Sequence, residues 1–195
     1  MTPRQYKEDI EKQISDWHIP LHSRKHWTFQ SARKTMDSFK LSQSDIPLII
    51  KLVENPKYDI GLFAGNVDLH SHDCIHVLLG RGLLVKDEAF VIGYTMGTTK
   101  KMPRWRRNLF MFISKYLYPE GYRFGEEERY VFNSAVMMGS KCPTDLSKVN
   151  FRDLEGHKVS ETREKFGINK KDISRFYSLE QQFFKNSKES QRLFK

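Results

Sequence analysis

The chain has 195 residues and a formal net charge of +9, from 33 Lys and Arg against 24 Asp and Glu. With 38% hydrophobic and 13% aromatic residues it is not a disordered polar chain, and its length suits one compact domain with its own core. No apolar run approaches the roughly 18 residues that a membrane-spanning helix requires, and Cys74 and Cys142 fit neither a disulfide framework nor a zinc ribbon.

The opening stretch, MTPRQYKEDIEKQ, is too charged for a secretory signal, and its acidic residues argue against a transit peptide. With the cysteine usage, this points to a reducing, cytoplasmic setting. Tyr6, Ile10, Ile14 and Trp17 recur at helical spacing behind Pro3, which predicts a first helix over residues 2–17. Residues 18–30 are basic and irregular, with Pro20 as a breaker, so His18, His22 and His26 read as surface or loop residues. Ser31 is placed to cap a short helix to about Lys40, and Ser42 or Ser44 another that ends before Asn55-Pro56.

A longer helix is predicted from about Ile60 or Phe63 to Leu79, stopped by Gly80 and Gly82. The next, about Val85 to Thr98, is apolar almost all round and should be largely buried. Lys100 to Arg107 form a basic turn, and Pro103 opens a helix with Trp105, Leu109, Phe110, Phe112, Ile113 and Tyr116 as its apolar residues. Tyr130, Val131, Ala135, Val136 and Met137 suggest a packed helix over 126–141. Ser160 and Gly167 bracket a short helix over 161–166, and 169–195 reads as one more helix with a frayed end. The fold class is therefore all-α: a single domain over residues 1–195, with about seven helices.

One stretch carries chemistry. His72 and His76 are four residues apart with Asp73 between them, so on a helix the three point into one sector. Two imidazoles and a carboxylate converging there form a metal-ligand set. Glu88 supplies a fourth ligand if the chain reverses at Gly80, Arg81 and Gly82. A carboxylate on so apolar a helix needs a partner, and a cation would be one. Nitrogen and oxygen donors suit Zn(II), Fe(II) or Mn(II), and geometry would decide among them. His70 falls on the wrong face, and Cys74 reads as a small core residue. The plainer reading is a buried, hydrogen-bonded histidine pair with Asp73 as a helix charge.

The segment HDCIHVLLGRGLLVKDE reads H-D-x-x-H, eleven residues, then E. It resembles the signature of the ubiquinone-biosynthesis family known as coenzyme Q biosynthesis protein 4. Leu79 and Gly80 also sit where that family tends to have a leucine or threonine and a glycine. The resemblance covers about residues 45–168 and is strong only at the motif. It implies a divalent metal, usually taken as zinc, on His72, Asp73, His76 and Glu88, the four residues that would carry catalysis. It also implies a polyprenylated hydroxybenzoate as substrate, with oxidative decarboxylation at the ring carboxyl carbon. Other quinone-biosynthesis proteins would then be possible partners. The residues after Glu88 and both tails depart from the family pattern.

The basic excess points to an anionic partner, whether nucleic acid, phosphates or an anionic membrane surface, and charge alone does not choose among them. Lys100, Lys101, Arg104, Trp105, Arg106 and Arg107 put cations beside an indole, which suits a peripheral contact with the inner membrane face. The alternative is an ordinary solvated charge cluster over an aromatic core face. Three other functions compete. A prenyl-lipid-binding or scaffold protein would use the same metal without turnover. A His-Asp phosphohydrolase would need a further His and Asp, such as His26 with Asp145 or Asp153. A peptidase would need Asp73 to do the work of the longer glutamate of H-E-x-x-H. Nucleic-acid binding is not expected, since no reading motif accompanies the charge. Self-association is left open.

Overall fold

The computed structural model describes residues 17–23, 26–36, 65–118 and 120–194. Among these there are eight α-helices and no strand; Thr28 and Lys158 form a lone antiparallel bridge. The helices are α1 (Phe29–Met36), α2 (Leu69–Leu79), α3 (Val85–Thr98), α4 (Arg104–Tyr116), α5 (Glu126–Gly139), α6 (Val159–Lys165), α7 (Lys170–Phe183) and α8 (Lys188–Gln191). The expected helices over residues 42–54 and most of 2–17 lie outside the described residues.

α3 is the centre of the molecule. Twelve of its residues are buried, from Lys86 and Asp87 to Thr98, as its unbroken apolar character requires. It packs closest against α5. A Cβ on Gly97 would collide with the carbonyl oxygen of Val136, and one on Gly139 with that of Tyr94. The two backbones therefore meet where a side chain cannot fit. Lys86 adds a polar tie: its Nζ is 2.5 Å from Glu127 Oε2 on α5 and 4.7 Å from the centre of the Phe184 ring.

α2 is shorter than its sequence pattern suggested. Asp68 is extended (φ −71°, ψ 162°), and its carboxylate accepts the Ser71 N–H at 2.7 Å, so the helix starts at Leu69 rather than near residue 60. Gly80 ends it in the left-handed region at φ +69°. The last turn is buried, so its carbonyls need donors. Arg163 of α6 donates to Val77 O and Leu78 O, and Tyr177 of α7 donates to Leu79 O. His18 donates to Gly80 O at 3.2 Å.

Several local expectations change. His22 and His26 are exposed, but His18 is half-buried against α2. Trp17 is not helical; it is buried, and its indole N–H donates to Thr35 of α1. On α4, Phe110 and Ile113 enter the core, whereas Trp105, Phe112 and Tyr116 are more than half exposed. Met137 of α5 is likewise exposed. The C-terminus does not fray within the described residues: α8 follows α7, and Leu193 is fully buried.

Burial lowers the His18 pKa from 6.5 to about 4, with Asp87 opposing and Arg192 adding to the shift. Between those values the unfolded chain binds a proton that the folded chain does not, so stability falls as pH drops through that window. The full shift corresponds to about 3 kcal/mol. Thermal unfolding followed from pH 7 to 4.5 should therefore show a shallower loss for His18→Gln than for the natural chain. Parallel losses would contradict the assignment.

Candidate metal centre

The turn between α2 and α3 follows from Gly80. Beyond this left-handed residue, the Arg81 N–H returns to His76 O at 3.0 Å, and the chain reverses before α3 begins at Val85. Asp87, in the first turn of α3, accepts the Leu84 N–H at 3.2 Å and completes the start of that helix. Glu88 is thereby presented to the histidine face of α2.

His72 Nε2 lies 3.2 Å from Glu88 Oε2, and His76 Nε2 lies 3.2 Å from Glu88 Oε1. The two imidazole rings are 4.6 Å apart, inclined at 71°. One donor atom from each of the three residues lies within 4.8 Å of the others. His76 is fully buried, while the side chains of His72 and Glu88 are 20% and 27% exposed, so the group opens to solvent on their side.

The hydrogen bonding of His76 decides its tautomer. Its Nδ1 is 2.6 Å from the carbonyl oxygen of Gly82, which can only accept. Nδ1 therefore carries the proton, and in the neutral ring Nε2 presents its lone pair towards Glu88. The 3.2 Å approach to Oε1 is not aligned as a hydrogen bond. A lone pair and a carboxylate oxygen facing each other are relieved by positive charge between them, either a proton on Nε2 or a metal ion. Burial pushes the Glu88 carboxyl upward, but positive charge on His76 and His72, when their rings are protonated, more than offsets this and holds it well below the usual carboxylate range.

The two histidine-to-carboxylate distances of 3.2 Å lie in the range a metal allows. Bonds of about 2.1 Å at tetrahedral or octahedral angles place neighbouring donor atoms about 3.0 to 3.4 Å apart. The carbonyl anchor on His76 is also the outer contact that metal-bound histidines usually have.

The fourth residue of the motif is placed differently. Asp73 is buried outside the three-residue group, with Oδ2 3.9 Å from Arg33 Nε of α1. Arg33 also pairs with Glu155 at 2.8 Å, and Glu155 receives His70 at 2.8 Å. His70 thus faces away from the group, as its register predicts. Cys74 is a buried core residue whose thiol is pushed up to about 12 by burial, Arg33 opposing. His26 is exposed, Asp145 caps the turn at Ser147, and Asp153 accepts from Asn150. None of these three joins the group that a phosphohydrolase would need.

The basic turn lies at the other end of α3, about 15 Å along the axis from Glu88. Lys100, Lys101, Arg104 and Trp105 are exposed, Arg106 and Arg107 are half-buried, and the Arg106 guanidinium sits 5.2 Å over the Trp105 ring.

Sequence reasoning did not reach the Gly82 carbonyl or the buried charges around the turn. Arg81 pairs with Glu180, 99 positions away, and Arg192 with Asp87, 105 positions away. No local spacing signals such pairs. Compared with known protein families, curated proteins and solved structures, the chain matches none.

The geometry separates the motif's residues by role. His76→Ala and Glu88→Ala should each weaken zinc binding by at least tenfold, whereas Asp73→Asn should lose much less. Equilibrium competition with a chromophoric chelator measures this. An Asp73→Asn loss equal to that of His76→Ala would return Asp73 to the ligand set.

Proposed function

We propose that the chain is a mononuclear metal protein that holds a divalent cation, most simply zinc, on His72, His76 and Glu88. The observation that carries this is the His76 arrangement: proton on Nδ1 held by Gly82 O, and Nε2 directed at Glu88 3.2 Å away. Three protein donors leave coordination positions for an outside oxygen, and they lie on the exposed side of His72 and Glu88.

The resemblance at residues 72–88 supplies the substrate class. We place the protein with the enzymes of quinone synthesis, acting on a prenylated hydroxybenzoate. A bound cation would supply Lewis-acid polarisation of the ring carboxylate or a neighbouring ring oxygen. The chain contributes fixed donors: the Gly82 carbonyl holds His76 in one tautomer and ring orientation, and Glu88 lies 3.2 Å from it. In the implied reaction carbon dioxide leaves the ring. One oxygen atom of dioxygen takes its place, and the other leaves as water at the expense of a two-electron donor.

The same substrate class favours a peripheral membrane contact, because the prenyl tail resides in lipid. No described helix is long and apolar enough to cross a membrane. The surface that suits docking is the start of α4 with its preceding turn. There, exposed Lys100, Lys101 and Arg104 flank Trp105, and Phe112 and Tyr116 continue the apolar face.

Two experiments test these readings. Protein loaded in turn with zinc and with iron(II), given a prenylated 4-hydroxybenzoate, dioxygen and a reductant, should release carbon dioxide in the redox-active iron form, and His76→Ala should not. Metal binding without turnover, together with a co-purifying prenyl lipid, would instead support the carrier or scaffold role. No bound metal in the natural chain would end both. Separately, the protein should co-sediment with anionic vesicles, less so at high salt or as Trp105→Ala. Equal recovery with neutral vesicles would count against docking.

A further inference from the structure

The turn that carries the site is held from outside by the C-terminal segment. Arg81, the first residue after the left-handed Gly80, is fully buried. Its guanidinium packs against two neighbouring rings, Phe90 at 4.1 Å and Tyr177 at 4.2 Å. It makes a two-pronged pair with Glu180 of α7, NH1 to Oε1 at 2.9 Å and NH2 to Oε2 at 2.5 Å. Ser190 of α8 donates to the same Oε1 at 3.0 Å. Arg192, just after α8, pairs with Asp87, and Arg81 NH1 lies 3.7 Å from Asp87 Oδ1. Two arginines thus meet two carboxylates in a buried, charge-balanced cluster.

Its attachment points are the residues that set the site. Asp87 immediately precedes Glu88. Gly82, whose carbonyl fixes His76, is packed so tightly under the Arg192 guanidinium that a Cβ there would collide with it. One side chain therefore bears on both the Glu88 and the His76 sides of the candidate centre. A bidentate, planar guanidinium is suited to such a brace, and a lysine is not its equivalent.

We infer that residues 170–194 form a positioning element for the metal centre, in which Arg192 on Asp87 and Glu180 on Arg81 set the separation of His76 and Glu88. This rests on the metal reading above. Arg192 and Glu180 are positioning residues, since neither touches the three donor groups directly.

Cobalt(II) reports on this directly, because its visible spectrum follows ligand geometry. The full-length chain and its Arg192→Met, Arg192→Lys and Glu180→Gln variants should be compared by cobalt(II) addition, with far-ultraviolet circular dichroism on each. The expected result is at least a tenfold loss of cobalt affinity and an altered visible spectrum for Arg192→Met and Glu180→Gln, with partial recovery in Arg192→Lys. If the methionine or glutamine variant fails to fold, Arg192→Lys decides by showing an intermediate affinity and a shifted spectrum. Folded variants with the affinity and spectrum of the natural chain would overturn the inference and leave the metal reading standing. A natural chain that binds no cobalt or zinc would overturn the metal reading itself.

Discussion

The arrangement depends on one reversal of direction. Gly80 takes a left-handed backbone conformation, the chain doubles back through Arg81 and Gly82, and α3 starts at Val85 with Asp87 and Glu88 in its first turn. Two consequences follow from that single bend. The Gly82 carbonyl comes within 2.6 Å of His76 Nδ1, and the Glu88 carboxylate comes within 3.2 Å of both imidazoles. A substituent on Gly80 would strike the backbone at Leu21, so the bend is also closed off from behind. The buried carbonyls left over at the helix end are answered by Arg163, Tyr177 and His18, each from a different part of the chain.

Buried charge is concentrated where the bend needs rigidity. A buried ion pair is weak evidence for net stability, because desolvation offsets the attraction. Placement and balance say more. Arg81, Asp87, Glu180 and Arg192 enclose the bend, and Lys86 with Glu127 ties the next residue to α5. Asp73, Arg33, Glu155 and His70 form a second network on the opposite side of α2. The helix bearing the histidines is therefore held on both flanks by groups far apart in sequence, while among the described residues the His72 and Glu88 side is open.

Local physics explains what could be read beforehand. The all-α class, the burial of α3, the stop at Gly80 and the meeting of His72, His76 and Glu88 all follow from helical periodicity and glycine placement. Other outcomes depended on tertiary contacts that no local pattern carries. Asp73 shares a sector with the histidines on a helical wheel, yet α1 brings Arg33 to its other side. His18 and Trp17 read as a loop and a helix end, yet both close against the core. The aromatic residues of α4 divide between core and surface, which its composition alone does not determine. Residues 169–195 carry no resemblance to the motif family, yet Glu180 and Arg192 among them supply the braces of the turn.

X-ray absorption at the zinc edge of the zinc-loaded chain tests the central claim most directly. The account predicts a first shell of light donors at about 2.0 to 2.1 Å, with the outer-shell scattering of two imidazoles. One imidazole should vanish from that pattern in His76→Ala. Zinc without imidazole scattering, or a pattern unchanged by that substitution, would contradict it.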